Sequence, residues 1–213
     1  MTKEELKLLN SMCFFIEQIK KYKIEPKVIF DIGAYNAKHL QELGAEFNVP
    51  KKDLWAFEAH PDMIQHCKKR TDNVVEGVIT DRDGWTDFNA IDLTQNCHHG
   101  CSSVFQIDRP HKKHYTKMLR IDSLMYAQII PGRADVVKID VEGASYEVLK
   151  GFGNMLKNVK ILHVETETVE VFPGQKLQKE VIDFMGDKGF KVVHKLHIPK
   201  YQDDLIFLRK DLL

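Results

Sequence analysis

The stretch Val28-Ile29-Phe30-Asp31-Ile32-Gly33-Ala34-Tyr35-Asn36-Ala37-Lys38-His39-Leu40 constrains this chain more than any other. Four residues ending at Asp31 read as a short buried strand, Gly33-Ala34 as a small-residue turn, and the residues that follow can open a helix. Strand, tight turn and helix form the cofactor-binding unit of open parallel sheets, so an α/β fold is expected. A phosphate cradle uses bare backbone N–H groups at the positive end of a helix, and a carboxylate at its mouth would repel a pyrophosphate. Asp31 therefore argues for a ligand with a cationic part. S-adenosylmethionine fits, with an ammonium, a sulfonium and a ribose but no phosphate. The motif is short, and Asp-x-Gly can follow a strand for structural reasons alone.

The rest of the chain repeats the pattern. Before the first strand, Leu6, Leu9, Cys13, Ile16 and Ile19 give a broad apolar helical face, and Thr2 with Glu5 reads as a capping box. Helix Ala37 to Phe47 leads to a second strand, Asp53 to Glu58, whose terminal acid is placed for ribose hydroxyls. His60-Pro61 starts a helix, and Asn73 to Val78 is a third strand. Asp83-Gly84 is expected to turn the chain back into an antiparallel strand, Trp85 to Ile91. Residues 92 to 116 show no period and read as a long functional loop. Ala134 to Glu142 is a strand whose end carries Lys138, Asp140 and Glu142 at a spacing of two, hence on one face. Lys160 to Glu165 is the next strand, Gln178 to Lys188 a helix closed by Gly189, and Phe190 to His194 with Leu205 to Arg209 a terminal antiparallel pair.

Length and charge set the outer bounds. A chain of 213 residues is expected to form one domain, with an N-terminal helix at 2–22, a cofactor-binding half at 27–91, an acceptor loop region at 92–118 and a second half at 119–213. Lys plus Arg and Asp plus Glu are both 31, so no global field recruits nucleic acid or an anionic membrane. No apolar run approaches the roughly 20 residues that span a bilayer, and acids near the start argue against a secretory leader. With four cysteines and no disulfide framework, a cytoplasmic location is expected.

Three segments resemble the FkbM family of S-adenosylmethionine-dependent methyltransferases in order and spacing. They are Phe30-Asp31-Ile32-Gly33-Ala34, then Ala56-Phe57-Glu58-Ala59-His60-Pro61, then Val137 to Ala144 continuing to Val148-Leu149-Lys150-Gly151. The resemblance implies a Rossmann-like class I methyltransferase fold: a seven-stranded, mostly parallel sheet with helices on both faces and a C-terminal antiparallel hairpin. It implies S-adenosylmethionine bound by Asp31, Gly33, Ala34, Tyr35, Asn36, Glu58, Ala59, Gly77, Val78 and Asp140. It also implies methylation of a hydroxyl on a sugar, glycan or natural-product acceptor, with Gly100-Cys101-Ser102-Ser103 near that acceptor. Ala37, Ala59 and Ser145 depart from the family pattern, which has a glycine, a proline and an acid there.

Removing the proton of a hydroxyl acceptor requires a base. Asp140, Glu142, His163 and Glu165 are the candidates at the sheet's carboxyl edge, with Lys138 pairing to Asp140. His163 titrates nearest neutrality, although an internal strand histidine is commonly a core residue. No metal is expected: Cys97, His98, His99 and Cys101 lack a second donor cluster, and Asp140 with Glu142 alone is a thin case for Mg²⁺. The basic stretch Arg109, His111, Lys112, Lys113, His114, Lys117 and Arg120 is either a solvated loop or the receiver of an anionic acceptor. RNA is disfavoured, since aromatics are not interleaved there. The oligomeric state stays open, a homodimer among the options. Two other classes remain: a nicotinamide-dependent oxidoreductase, which would need the absent Gly-x-Gly-x-x-Gly, and a non-catalytic cofactor-binding module.

Overall fold

The computed structural model describes residues 3–94, 101–198 and 201–213. Its elements in chain order are α1 (Lys3–Lys21), β1 (Ile29–Ile32), α2 (Lys38–Glu46), β2 (Leu54–Glu58), α3 (Pro61–Lys68), β3 (Asn73–Glu76), β4 (Val78–Ile79), β5 (Gly84–Ile91), β6 (His111–Leu119), α4 (Ile121–Tyr126), β7 (Val136–Ile139), α5 (Ser145–Gly151), β8 (Ile161–Glu167), α6 (Gln178–Asp187), β9 (Phe190–Ile198) and β10 (Gln202–Arg209). Seven strands form one sheet in the order β3-β2-β1-β7-β8-β10-β9. The first five are parallel, and β10 runs antiparallel to both β8 and β9. The chain winds outward from β1 to β3 and then returns to β7 on the other side of β1. That reversal opens a crevice at the carboxyl ends of β1, β2 and β7.

Strand residues alternate between the two faces, and both faces are covered, so the strands read as continuous apolar runs. On one face Phe30, Ile32, Val137, Ile139, Leu162 and Phe207 pack under Leu124 of α4, Val148 and Leu149 of α5 and Val181 and Met185 of α6. On the other, Ile29, Val136, Ile161 and Ile206 pack under Phe15 and Ile19 of α1, Leu40 and Leu43 of α2 and Cys67 of α3. This second face is broken by a polar row, because Asp31, Lys138 and His163 share one register level across β1, β7 and β8. Helix α1 covers part of the row with Ser11, whose hydroxyl donates to Asp204 Oδ2 at 2.6 Å. A hydroxyl has one proton, so the 2.6 Å contact between Ser11 Oγ and His163 Nε2 makes the imidazole the donor there. The capping box expected at Thr2 and the Cys97-His98-His99 cluster lie outside the described residues.

Three expectations are corrected. The third strand does not run through to Val78: it breaks at Gly77, whose φ is 143°, and β4 crosses to a separate three-stranded sheet in the order β4-β6-β5. A side chain at Gly77 would put its Cβ 2.9 Å from the carbonyl oxygen of Lys117, so the crossing needs glycine. The Asp83-Gly84 turn does not fold β5 back on β3. Instead β5 pairs antiparallel with β6, from Gly84 opposite Met118 to Ile91 opposite His111. Lastly, 92–116 is not loop throughout, since β6 begins at His111. Its sequence HKKHYTKML buries only Thr116, so main-chain pairing carries the strand and no apolar alternation betrays it. No helix among the described residues is long and apolar enough to cross a membrane.

Candidate active site

The turn after β1 is tied to the end of β2. The N–H groups of Gly33 and Ala34 both donate to the carbonyl of Phe57, at 3.0 and 3.1 Å, and the N–H of Tyr35 donates to Glu58 Oε2 at 2.5 Å. Gly33 has φ 73°, and a Cβ there would sit 1.8 Å from the carbonyl oxygen of Asp140, so this glycine admits the end of β7 into the site. Ala37 caps α2 in the left-handed region at φ 58°, a conformation that glycine adopts without strain. The donors of Gly33, Ala34 and Tyr35 are thus spent inside the protein. A pyrophosphate would find none of these three groups free, which disfavours a dinucleotide.

The crevice is lined by Gly33, Tyr35, Glu58, Ala59, Gly77, Val78 and Asp140 among the expected cofactor residues. Ala34 is buried in the core beside α2, and Asn36 Oδ1 accepts the N–H of Lys38 in the turn. Asp31 does not line the crevice. It is 1% exposed, lies 3.6 Å from Lys138 Nζ, and neither of its oxygens has a hydrogen-bond partner. His60, Phe88 and Val104, which the sequence did not single out, line the same crevice, as does Ser102, which was expected near the acceptor. Phe88 and Val104 pack with Ala59 and Val78 as an apolar wall contributed largely by the second sheet, where an aromatic base would lie. His60 accepts the N–H of Asp62 at Nδ1, so its Nε2–H donates to the carbonyl of Ile91 at 2.9 Å; its place as the N-cap before Pro61 was the available signal.

Glu58 faces the crevice from the end of β2, as Asp140 does from beyond β7. Burial raises its pKa to about 7, against the opposing pull of N–H donors from His60 and Tyr35. Ribose hydroxyls donate best to the ionised form. Raising the pH from 6 to 8 carries Glu58 from mostly protonated to mostly ionised, so adenosine-cofactor affinity should rise about tenfold over that interval. Calorimetric titration with S-adenosylhomocysteine at the two pH values checks this, and Glu58→Gln should flatten the dependence.

Strand β7 stops at Ile139, and the chain then presents its acids in different directions. Asp140 is fixed by its N–H to the carbonyl of Ile32 at 3.0 Å and faces the crevice. Glu142 takes a left-handed φ of 46°, and its carbonyl accepts the Ser103 hydroxyl at 2.7 Å. It lines a second cavity with Cys101, Arg109, Phe172 and Tyr201. Asp140, Glu142 and Glu165 nevertheless keep carboxylate oxygens within 4.8 Å of one another. Burial pushes Asp140 up, but Lys138 Nζ, 2.8 Å away, outweighs it and holds Asp140 below the ordinary carboxylate range. Burial and then the charge of Asp140 raise Glu142, and the same two causes raise Glu165 well above its ordinary value. Such a set can keep one acid ionised and take up or release a proton at the next. It is also an oxygen donor set of the kind that holds a divalent cation, although Lys138 already supplies positive charge beside it.

The remaining candidates lie elsewhere. His163 is buried under α1 and lines neither cavity; nor does Lys138, which joins Asp140 to Asp31 from within the sheet. Of the basic stretch, Arg109 lines one of these two cavities and the others line neither. Lys112 and Lys113 sit on β6 near Asp92 and Asp87, and Arg120 grips Asp122.

A doubly wound sheet with an acid at the end of β2, a phosphate-excluding turn after β1 and a carboxylate set shared by the end of β7 and by β8 defines an S-adenosylmethionine-dependent class I methyltransferase. The family model described as "Methyltransferase FkbM domain" matches residues 31–192. The chain belongs to the FkbM methyltransferase family. It is 26% identical over 181 residues to a hexuronic acid methyltransferase of Haloferax volcanii, spanning 79% of this chain and 70% of that protein. Its fold is similar to the magnesium protoporphyrin IX methyltransferase of Synechocystis PCC 6803 with bound S-adenosylhomocysteine, at TM-score 0.52 and 10% identity over 96% of this chain and 84% of the other. It is also similar to an FkbM methyltransferase of Methylobacillus flagellatus KT, at TM-score 0.55 and 12% identity over 86% of this chain and 44% of that one.

Proposed function

We propose that the protein methylates a hydroxyl oxygen of a sugar or glycan, with the acceptor in the cavity beside Glu142 and the methyl donor in the crevice under Glu58. The observation that carries this reading is the shared wall: Asp140 faces the crevice, Glu142 faces the cavity, and their carboxylates are neighbours. The relative that acts on a hexuronic acid supports a sugar acceptor.

S-adenosylmethionine supplies an electrophilic methyl whose leaving group is a neutral thioether. The protein's contribution is alignment and management of one proton. Glu58 and the wall of Val78, Phe88 and Val104 orient the nucleoside portion, and Gly33 keeps the end of β7 close to it. Ionised Glu142 accepts the acceptor's proton as the oxygen–carbon bond forms and the sulfur–carbon bond breaks, and the proton leaves to solvent through the cavity. Asp140, kept charged by Lys138, maintains the raised basicity of Glu142 by like-charge repulsion.

Incubation with methyl-labelled S-adenosylmethionine and a panel of glucose- and glucuronate-containing oligosaccharides tests the reading. Label on a sugar oxygen is expected. Label on nitrogen or on a carboxyl as an ester would contradict it, and stabilisation by NAD in place of S-adenosylhomocysteine would revive the oxidoreductase.

A further inference from the structure

The cavity beside Glu142 contains Arg109, a cation that feels the charge of Glu142 but has no carboxylate in contact among the described residues. Arg109 is partly withdrawn from water, and its Nη1 is buried with no hydrogen-bond acceptor among the described residues. The Cys101 thiol lies beside the guanidinium, but a thiol is a weak acceptor. No carboxylate among the described residues comes within 4.0 Å of it, although Glu142 and Asp108 line the same cavity. The other well-packed arginines are satisfied: Arg120 grips both oxygens of Asp122, and Arg209 both oxygens of Asp211. A guanidinium with one nitrogen withdrawn from water and no carboxylate in contact is incomplete, and it is completed most economically by a planar oxyanion.

We infer that the acceptor is an acidic sugar whose carboxylate is received by Arg109 while its reacting hydroxyl lies at Glu142. The inference rests on the sugar reading above and names the acceptor's charge. Phe172, held by stacking on Phe105 at 5.6 Å, and Tyr201 line the same space and offer the apolar C–H face of a pyranose a surface to lie on. A carboxylate suits the site better than a phosphate. The cavity brings one guanidinium and no lysine, and Glu142 and Asp108 would both repel a dianion. The lysines of β6 take no part, since none lines the cavity.

The test is calorimetric binding of glucuronate and of glucose to protein saturated with S-adenosylhomocysteine, which does not depend on turnover. The wild-type protein should bind glucuronate at least about 30-fold more tightly than glucose, the range of a charged hydrogen-bonded pair. Arg109→Gln should bring the two affinities together, and Arg109→Lys should restore only part of the preference because an ammonium lacks the fork. Unchanged S-adenosylhomocysteine affinity in Arg109→Gln shows that the variant is folded. If Arg109→Gln keeps the preference, or the wild type has none, the role of Arg109 is overturned while the sugar reading stands. If neither sugar binds and neither is methylated, both fall together.

Discussion

Glu142→Gln should lower kcat by about 10²- to 10⁴-fold while S-adenosylhomocysteine affinity stays within a factor of about two. Glutamine keeps the shape and loses the proton acceptor. Because the carboxyl hangs in the acceptor cavity and not in the crevice, the cofactor should not sense the change. The pH profile separates this from a structural defect. Burial and the charge of Asp140 raise the pKa of Glu142, so the ionised base becomes available only as pH rises through that raised value. Wild-type activity should therefore climb through neutral pH into the alkaline range, and that limb should vanish in Glu142→Gln. Replacing Asp140 by Asn removes the repulsion, so the limb should move toward acid pH. A Glu142→Gln enzyme with an intact alkaline limb would assign the base elsewhere, Glu165 being next in position.

Gly33→Ala should be the most damaging single methyl added to the chain. Its Cβ would lie 1.8 Å from the carbonyl oxygen of Asp140, a backbone atom that cannot turn aside, and φ 73° costs an alanine about 1–2 kcal/mol by itself. The strand ends of β1 and β7 must separate, which draws Asp140 out of the crevice. Thermal denaturation should show a loss of more than about 3 kcal/mol, and S-adenosylhomocysteine affinity should fall at least about 100-fold. A Gly33→Ala variant with wild-type melting and affinity would mean that the ends of β1 and β7 are not held at this distance.

The main sheet was legible because each of its parallel strands is a short apolar run bounded by turn residues, and burial on both faces makes such runs. The second sheet was not. Its middle strand, β6, is mostly polar, and the partner of β5 was misjudged because Asp83-Gly84 has the composition of a turn but stands at the start of a strand whose pairing partner is remote in sequence. Glu58, Asp140 and Glu142 were legible as acids at or beyond strand ends. Asp31 shows where that rule stops. It is one residue short of the end of β1, so its side chain lies in the sheet face beside Lys138, whereas Glu58 is the last residue of β2 and faces the crevice. A shift of one position along a strand separates a residue inside the sheet from one at its mouth. Phe88 gave no sign of a site role, and Arg109 could be read only as one member of a basic stretch; tertiary packing brings Phe88 to the crevice and sets Arg109 apart from the lysines of β6.

In the proposed reaction the two spaces that meet at Asp140 and Glu142 divide the labour, one for the methyl donor and one for the acceptor. A crystal structure of the S-adenosylhomocysteine complex tests it most directly. The ribose hydroxyls should lie within hydrogen-bond distance of Glu58, the adenine against Phe88 and Val104, and the sulfur should open toward the cavity of Glu142 and Arg109. Ribose away from Glu58, or sulfur turned from that cavity, would contradict the account.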